Sequence, residues 1–564
     1  MKKIYLTILL CLSVLFCDAQ TLVFDSVDIN PGLNSSVPYN FDTLNGKLLF
    51  TASTDAIGGN ELFITDGTQL GTSLLKDIYP GTKTSWAGTK GLLSANGKYF
   101  FAADDSVHGV ELWASDGTTA GTQMVKDINP GLDSGFKVYG YLTSLNGKIY
   151  FTANNGINGN ELWVSNGTAA GTQMVKDIYA GSNSSTPQNI TLLNGKIYFS
   201  ADDGINGMEL WVSDGTASGT QLVKDIYPGS GGSSASNASI LGFPIYNGNL
   251  VFAAYTPTEG CEIWISDGTS VGTHMVKDIN SGSANGTSTI PLIGIVNGKL
   301  FFLGNDGING QEPWVSDGTT TGTQMLKDIV PGPTGSLRKF GYPVDFSVLS
   351  NNIVFSAYDS IHGIEPWISD GTASGTVLLK DIYPGTTDSR PSTYTTCRNH
   401  IYFTASPTSS GTQLFQTDGT PANTYSIQPT TATLSNPISV VYGRGWFVSP
   451  YDSSFYFGAK FTNIGFELWM IKDSTNKSGS VAHISNNTSF TLYPNPNDGT
   501  FTVQLDNQHF EKGSIRVYNM LGECVYQSQI INHKSQITLS QPKGIYFVKL
   551  QLDEAVLTKR VAIE

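Results

Sequence analysis

The sequence predicts an all-β protein whose main part is a β-propeller of about nine four-stranded blades, and three observations predict it. First, one phrase recurs with a period of about 50 residues: Asp-Gly-Thr begins at Asp66, Asp116, Asp214, Asp267, Asp317, Asp370 and Asp418, with Asn166 in the third copy. Second, an aromatic stands three residues before each of these, at Phe63, Trp113, Trp163, Trp211, Trp264, Trp314, Trp367 and Phe415, and a degenerate ninth copy surrounds Trp469. Third, the expected mature chain begins with a segment, Val27–Gly32 (VDINPG), that matches KDINPG at Lys126–Gly131. That is a fourth strand without its first three, whereas the ninth copy holds three without a fourth. An N-terminal strand completing the last blade closes the ring; eight blades with a stray hairpin is the alternative count.

Each unit breaks into four strand-like runs. In Leu142–Ile178 the first ends at Asn146-Gly147, a strong hairpin signal. Lys148–Ala153 alternates as a strand does, Asn154–Asn160 turns, and Glu161–Ser165 and Thr172–Ile178 follow as the third and fourth runs. In the first seven copies the Glu before the aromatic and the Lys of Lys-Asp-Ile are 15 residues apart, as in Glu161 and Lys176. With Ser165 facing Thr172, Trp163 faces Met174, Leu162 faces Val175, and Glu161 faces Lys176 as an opposite-charge cross-strand pair. The eighth copy holds Gln413 and Gln428 at these positions, so both charges vanish together. Repetition itself is expected: a blade cannot cover both its faces alone, and near-identical neighbours around an axis cover both while leaving only short strand edges.

With 564 residues, 39% of them hydrophobic and 11% aromatic, the chain can bury a large core. Residues 1–19 read as a secretory signal: Lys2-Lys3, the apolar run Ile4–Phe16, then Cys17-Asp18-Ala19 before Gln20. Its removal takes away two Lys and one Asp, so the formal charge goes from −14 to −15. An acidic chain repels phosphate, which argues against nucleic acid and against anionic membrane surfaces. Cys261, Cys397 and Cys524 remain, enough for one bridge at most and for no disulfide framework. No later apolar run is long enough to span a bilayer, and a monomer is expected.

Several residue sets compete for a functional role. The Asp of Asp-Gly-Thr sits in the hairpin joining runs three and four, where its carboxylate accepts backbone N–H groups and Gly supplies the dihedral. The Trp series is expected to pack between blades rather than to form a sugar-stacking ladder. In the turn between runs two and three, Asp104, Asp105, Asp202, Asp203 and Asp306 gather the oxygen ligands that calcium needs, with Asx-turn chemistry as the alternative; no cofactor is required. Length varies mainly between Lys-Asp-Ile and the next Asn-Gly. Those connections carry Trp86, Phe136, Tyr139, Phe243, Arg338, Phe340, Tyr342, Arg390 and Tyr394 as candidate ligand-binding residues, with padding of the inner strands as the alternative. No pair of carboxylates or cluster of arginines stands out, and His108, His274, His362 and His400 are scattered. A non-catalytic module binding a glycan or a protein is therefore expected; an exported polysaccharide hydrolase or lyase with its site at the propeller axis is the alternative.

The Asp-Gly-Thr hairpin resembles the Asp-box of sialidase-like propellers, which is structural there, although the Asp-x-Gly-x-Thr-Trp ending is absent. The repeats from Asp25 to about Asp473 resemble the ELWxxDGT repeat family, a name that confers no mechanism. After Trp469 the pattern stops. Residues 474–487 are polar and linker-like, and from 488 short alternating strands predict a small Ig-like β-sandwich. This tail resembles the type A sorting domain of the type IX secretion system of Bacteroidetes. The residues that carry the likeness are Tyr493-Pro494-Asn495-Pro496, Gly499, Val517-Tyr518-Asn519 with Gly522, Gly544-Ile545-Tyr546, and Lys559-Arg560. The resemblance implies export through the outer membrane by that machinery, with the product released or linked to surface lipopolysaccharide. The expected domains are 1–19 (signal), 20–473 (propeller), 474–487 (linker) and 488–564 (sorting domain).

Overall fold

The computed structural model describes residues 22–32, 34–85, 93–136, 142–233, 242–288, 294–337, 345–409, 411–429, 446–449, 453–461, 465–473, 490–505, 513–519, 524–530, 534–539, 542–552 and 555–563. The expected signal and linker lie outside them. The chain divides into two compact units, one spanning Val23–Lys472 and one containing Asp473–Glu564. All regular structure among the described residues is β.

In the first unit the described residues form nine four-stranded antiparallel sheets. The third runs Thr143–Leu145, Lys148–Asn154, Asn160–Ser165 and Gln173–Lys176 in simple succession. Its first hairpin turns through Asn146 and Gly147, at φ 50° and 73°, the left-handed pair that a two-residue turn between twisted strands requires. Its middle strands are buried on both faces, so they read as continuous apolar runs rather than as a half-exposed alternation. Ile149, Phe151, Ala153 and Trp163 pack on Phe100, Leu112 and Ala114 of the preceding sheet. Tyr150, Leu162 and Val164 pack on Ile197, Phe199 and Trp211 of the following one. The other repeat aromatics occupy the same kind of interface, as Trp264 does between the fourth and fifth sheets and Trp367 between the sixth and seventh.

The ninth sheet is assembled from both ends of the unit, in the order Leu22–Val27, Glu467–Asp473, Phe455–Ala459, Trp446–Val448. Lys472 meets Asp25 at 3.2 Å across the outer pair. One face of this sheet, with Val27, Tyr456, Leu468 and Met470, shares a core with Phe41, Leu48, Phe50 and Phe63 of the first sheet.

The cross-strand ion pair expected from the 15-residue spacing is not formed. Ser165 does meet Thr172, Oγ to Oγ1 at 2.7 Å, and Trp163 faces Met174. A bulge between Leu162 and Trp163 then shifts the ladder, so that Lys176 lies opposite Leu162, and Glu161 and Lys176 part company. Lys176 instead reaches the next sheet, where Nζ donates to the Thr220 carbonyl at 2.7 Å and lies 5.6 Å from the Trp211 ring centroid. Lys76, Lys126, Lys224, Lys277 and Lys327 make the same two contacts with the sheet that follows each. Lys380 donates to Thr424 of the eighth sheet, whose aromatic is Phe415. The joint loss of charge at Gln413 and Gln428 is therefore not the loss of one ion pair. Between the eighth and ninth sheets Tyr402 stacks on Phe455 at 4.8 Å. Lys176→Ala is expected to cost about 1–2 kcal/mol, the worth of one charged hydrogen bond and a cation–π contact; urea unfolding measures it.

In the second unit one sheet orders Phe490–Tyr493, Thr500–Leu505 and Lys534–Thr538, and the other Cys524–Ile530, Gly513–Tyr518, Gly544–Leu552 and Ala555–Ile563. Phe501, Val503 and Ile537 of the first meet Ile515, Val517, Val548, Leu550 and Val561 of the second, a two-layer core.

Candidate functional site

Up-and-down strand order gives every sheet of the first unit two unlike ends. The Asn-Gly and Asp-Gly-Thr hairpins lie at one, and the turn between strands two and three lies at the other, together with the exit from strand four.

At the hairpin end the carboxylates are occupied by their own turns. Asp116 Oδ1 accepts the Thr118 N–H at 2.9 Å and its hydroxyl at 2.7 Å, and these bonds, the hydroxyl's first, hold its pKa down. Thr118 Oγ1 accepts the Gly121 N–H at 2.9 Å. A Cβ on Gly121 would sit 2.0 Å from the Asp116 carboxylate, which is why Gly recurs five residues after the Asp. In the eighth copy Asn423 stands in that place and its Nδ2 donates to Asp418 instead.

At the opposite end the candidate calcium ligands are divided among three sheets. Asp105 Oδ1 accepts the N–H groups of Val107 and His108 at 3.0 and 2.9 Å, and its Oδ2 meets His108 Nδ1 at 2.8 Å. Asp203 and Asp306 repeat this with Asn206 and Asn309 in place of His108. Asp104 and Asp202 accept the N–H groups of Ser106 and Gly204, each at 2.7 Å. These are Asx turns whose oxygens face their own backbone. Among the described residues no group of three or more His, Cys, Asp and Glu is placed to hold a metal ion.

The strongest polar feature of this end is the Glu of the repeat. Glu161 is buried, and its carboxylate accepts the Ile178 N–H at 2.9 Å, the Ser185 N–H at 3.0 Å and the Ser185 hydroxyl at 2.6 Å. It thus staples the exit of strand four to a residue 24 positions after itself. The same staple holds Ser85 to Glu61, Gly135 to Glu111, Ser233 to Glu209, Gly286 to Glu262, Ser336 to Glu312 and Ser389 to Glu365. In the ninth sheet it joins the two ends of the unit: Glu467 accepts the N–H groups of Ile29 and Ser36 at 2.9 and 3.0 Å and the Ser36 hydroxyl at 2.6 Å. Burial pushes these carboxyls up, to about 7 in Glu111, Glu209, Glu312, Glu365 and Glu467 and to about 8 in Glu262. The sequence held the signal, a Ser or Gly 24 residues after the Glu in each of the first seven copies, but the assumed ion pair hid it.

The variable connections begin directly after the stapled residue. Trp86, Tyr139, Arg338, Phe340 and Tyr342 lie outside the described residues. The three described aromatics are core residues, the alternative raised above. Phe136 stacks on Phe151 at 5.4 Å, Phe243 packs on Phe252 at 5.6 Å, and Tyr394 stacks on Phe403 at 5.1 Å with its hydroxyl 3.1 Å from Ser356 Oγ. Arg390 is exposed, follows the stapled Ser389, and takes a left-handed φ of 52°, with Nε 3.9 Å from Asp388 Oδ2. Cys261 and Cys397 are buried and in no disulfide, and the Cys397 thiol donates to the Ser453 carbonyl at 3.2 Å.

In the second unit the sorting-motif residues fasten the start of the domain to its last strand. Asn495 Oδ1 accepts the Ala562 N–H at 2.9 Å, and Asn497 donates through N and Nδ2 to the Ala562 carbonyl, both at 3.0 Å. Gly499, at φ 101°, donates to Asn497 Oδ1 and accepts the Leu539 N–H. A Cβ there would lie 2.8 Å from the Leu539 carbonyl oxygen. Tyr493 donates to Gln504 Oε1 at 2.6 Å, with exposed Pro494 and Pro496 beside it. Gly544 opens the strand in which the Tyr546 hydroxyl donates to the Pro542 carbonyl at 2.7 Å. Lys559 and Arg560 belong to the adjoining last strand, three and two residues before Ala562.

Residues 491–564 match the model of the secretion system C-terminal sorting domain. The chain thus carries a type IX secretion sorting tail, which supports export across the outer membrane to the cell surface or the extracellular space. No curated protein matches it. Among solved structures it is similar to PorZ, a surface component of the type IX secretion system of Porphyromonas gingivalis, at 12% identity and a TM-score of 0.25, over 92% of this chain and 80% of that one. A puromycin-hydrolyzing peptidase of Mycobacterium tuberculosis is similar at 9% identity and a TM-score of 0.33, over 77% of this chain and 61% of that one. Likenesses this distant carry no argument about activity. No helix among the described residues is long and apolar enough to cross a membrane.

Proposed function

We propose that residues 20–473 form a closed nine-bladed propeller, exported by the tail at 488–564, that binds a glycan or protein ligand without catalysis. The ligand is received at the end of the sheets where the strand-four exits lie. One observation carries this proposal: buried glutamates fix the same stretch of backbone in sheet after sheet, and the sequences that differ start immediately beyond it. A constant frame with unlike insertions at one end is the arrangement of a binding scaffold. The shared core of the ninth and first sheets supports the ring.

The test is glycan-array and surface-plasmon binding of the mature chain, with Trp86→Ala and an Arg338→Ala/Tyr342→Ala pair. A bound ligand should be lost by about tenfold or more in at least one variant, as expected when a buried contact is removed, with melting unchanged. Binding untouched by all three changes would contradict the placement, and product release from any bound polysaccharide would contradict the non-catalytic part.

A further inference from the structure

We propose that the outward face of the four-stranded sheet in the C-terminal unit docks on an anionic membrane surface. Arg516 and Lys549 meet phosphate-bearing lipid headgroups, and Phe547 enters the interface. The strands Gly513–Tyr518 and Gly544–Leu552 bury Ile515, Val517, Tyr546, Val548 and Leu550 on one side, so residues 516, 547 and 549 stand on the other. All three are exposed. Arg516 and Lys549 are direct cross-strand partners. Like charges so placed destabilise a sheet, and the flanking described side chains, Ser514, Tyr518, Gln527 and Gln529, include no carboxylate to offset them. Phe547 is 37% exposed, and Arg560 is its backbone partner on the last strand.

Charge makes this face unlike the rest of the chain. Residues 490–564 hold seven Lys and Arg and seven Asp and Glu, so the whole net charge of −14 belongs to residues 1–489. The general argument against anionic membranes therefore applies to the repeats and not to this sheet. Two adjacent cations beside an exposed aromatic ring fit a layer of phosphate above hydrocarbon, where cations stay at the headgroups and the ring sits at the interface.

The experiment is co-sedimentation of the mature full-length chain with vesicles of phosphatidylcholine alone and of phosphatidylcholine mixed with phosphatidylglycerol. Binding is expected to the anionic vesicles only and to weaken as salt is raised. Each cation near such a surface is worth about a fivefold change in partition, so Arg516→Gln/Lys549→Gln should lower binding by about 25-fold. Phe547→Ser should lower it further, while Lys299→Gln, an exposed cation of the sixth sheet, should leave it unchanged. Melting of the double variant should not fall, because a like-charge pair has been removed. Equal binding to neutral vesicles, wild-type binding by the double variant, or no binding to either vesicle would overturn the proposal. The last result would leave an acidic protein as the candidate occupant.

Discussion

Replacing Glu467 by Ala should cost about 2–4 kcal/mol, because three buried donors lose this acceptor together and the Phe466 carbonyl remains for the two on Ser36. Those donors are the N–H groups of Ile29 and Ser36 and the Ser36 hydroxyl, and all belong to the opposite end of the unit. The carboxylate therefore fastens a junction between residues more than 400 positions apart, a span whose ordering nothing local supports. Glu467→Gln keeps one acceptor oxygen, enough for the Ile29 N–H and the Ser36 hydroxyl, but turns an NH2 toward the Ser36 N–H, and should cost less than Ala, about 1–2 kcal/mol. The eighth sheet already carries Gln at the equivalent position, Gln413. Denaturant unfolding followed by Trp fluorescence separates the two variants; equal losses from Ala and Gln would show that charge, and not acceptance, matters at the junction.

The protein should be more stable near pH 5.5 than at pH 8. Burial raises the Glu carboxyls, and nearby Asp77, Asp127, Asp278, Asp328 and Asp28 add like charge beside Glu61, Glu111, Glu262, Glu312 and Glu467. Each has an unfolded value near 4.5 and a folded value that, in six of them, is raised to about 7 or 8. Between these limits the folded state holds more protons than the unfolded one. Stability then falls as pH rises through the window and levels off above it. Melting at pH 5.5 should exceed melting at pH 8 by ~5 °C or more, and Glu365→Gln, which removes one titrating site, should narrow the gap. A higher melting point at pH 8 would show that the backbone N–H donors hold these groups ionised despite their burial.

Most of the architecture was legible because it rests on local chemistry that repeats. The Asn-Gly and Asp-Gly-Thr turns announce themselves through residues that tolerate left-handed backbone, and the strands between them follow from apolar runs of the right length. The match of Val27–Gly32 to the Lys-Asp-Ile segments placed the N-terminal strand beside the last copy. What escaped was register. One bulge after Leu162 turns an apparent ion pair into two unrelated devices, a staple within the sheet and a clamp onto the next, and no periodicity in one strand reveals a slip in its partner. Candidate ligand residues fared less well for a related reason. Phe136, Phe243 and Tyr394 follow the same stapled position as the exposed Arg390, and only the path of the backbone decides which side chains turn inward. The turn carboxylates looked like ligands because a calcium loop and an Asx turn draw on the same residues.

Hydrogen–deuterium exchange on the wild-type chain and on Glu467→Ala tests the proposed closure of the ring most directly. The account predicts slow exchange in the wild type at Ile29, Ser36 and Glu467–Lys472, and in the variant a selective loss of protection there and in Tyr39–Ser53, with the third to sixth sheets unchanged. Fast wild-type exchange at Ile29 and Ser36, or a variant in which Glu467–Lys472 stays as protected as before, would mean that the N-terminal strand does not close the unit.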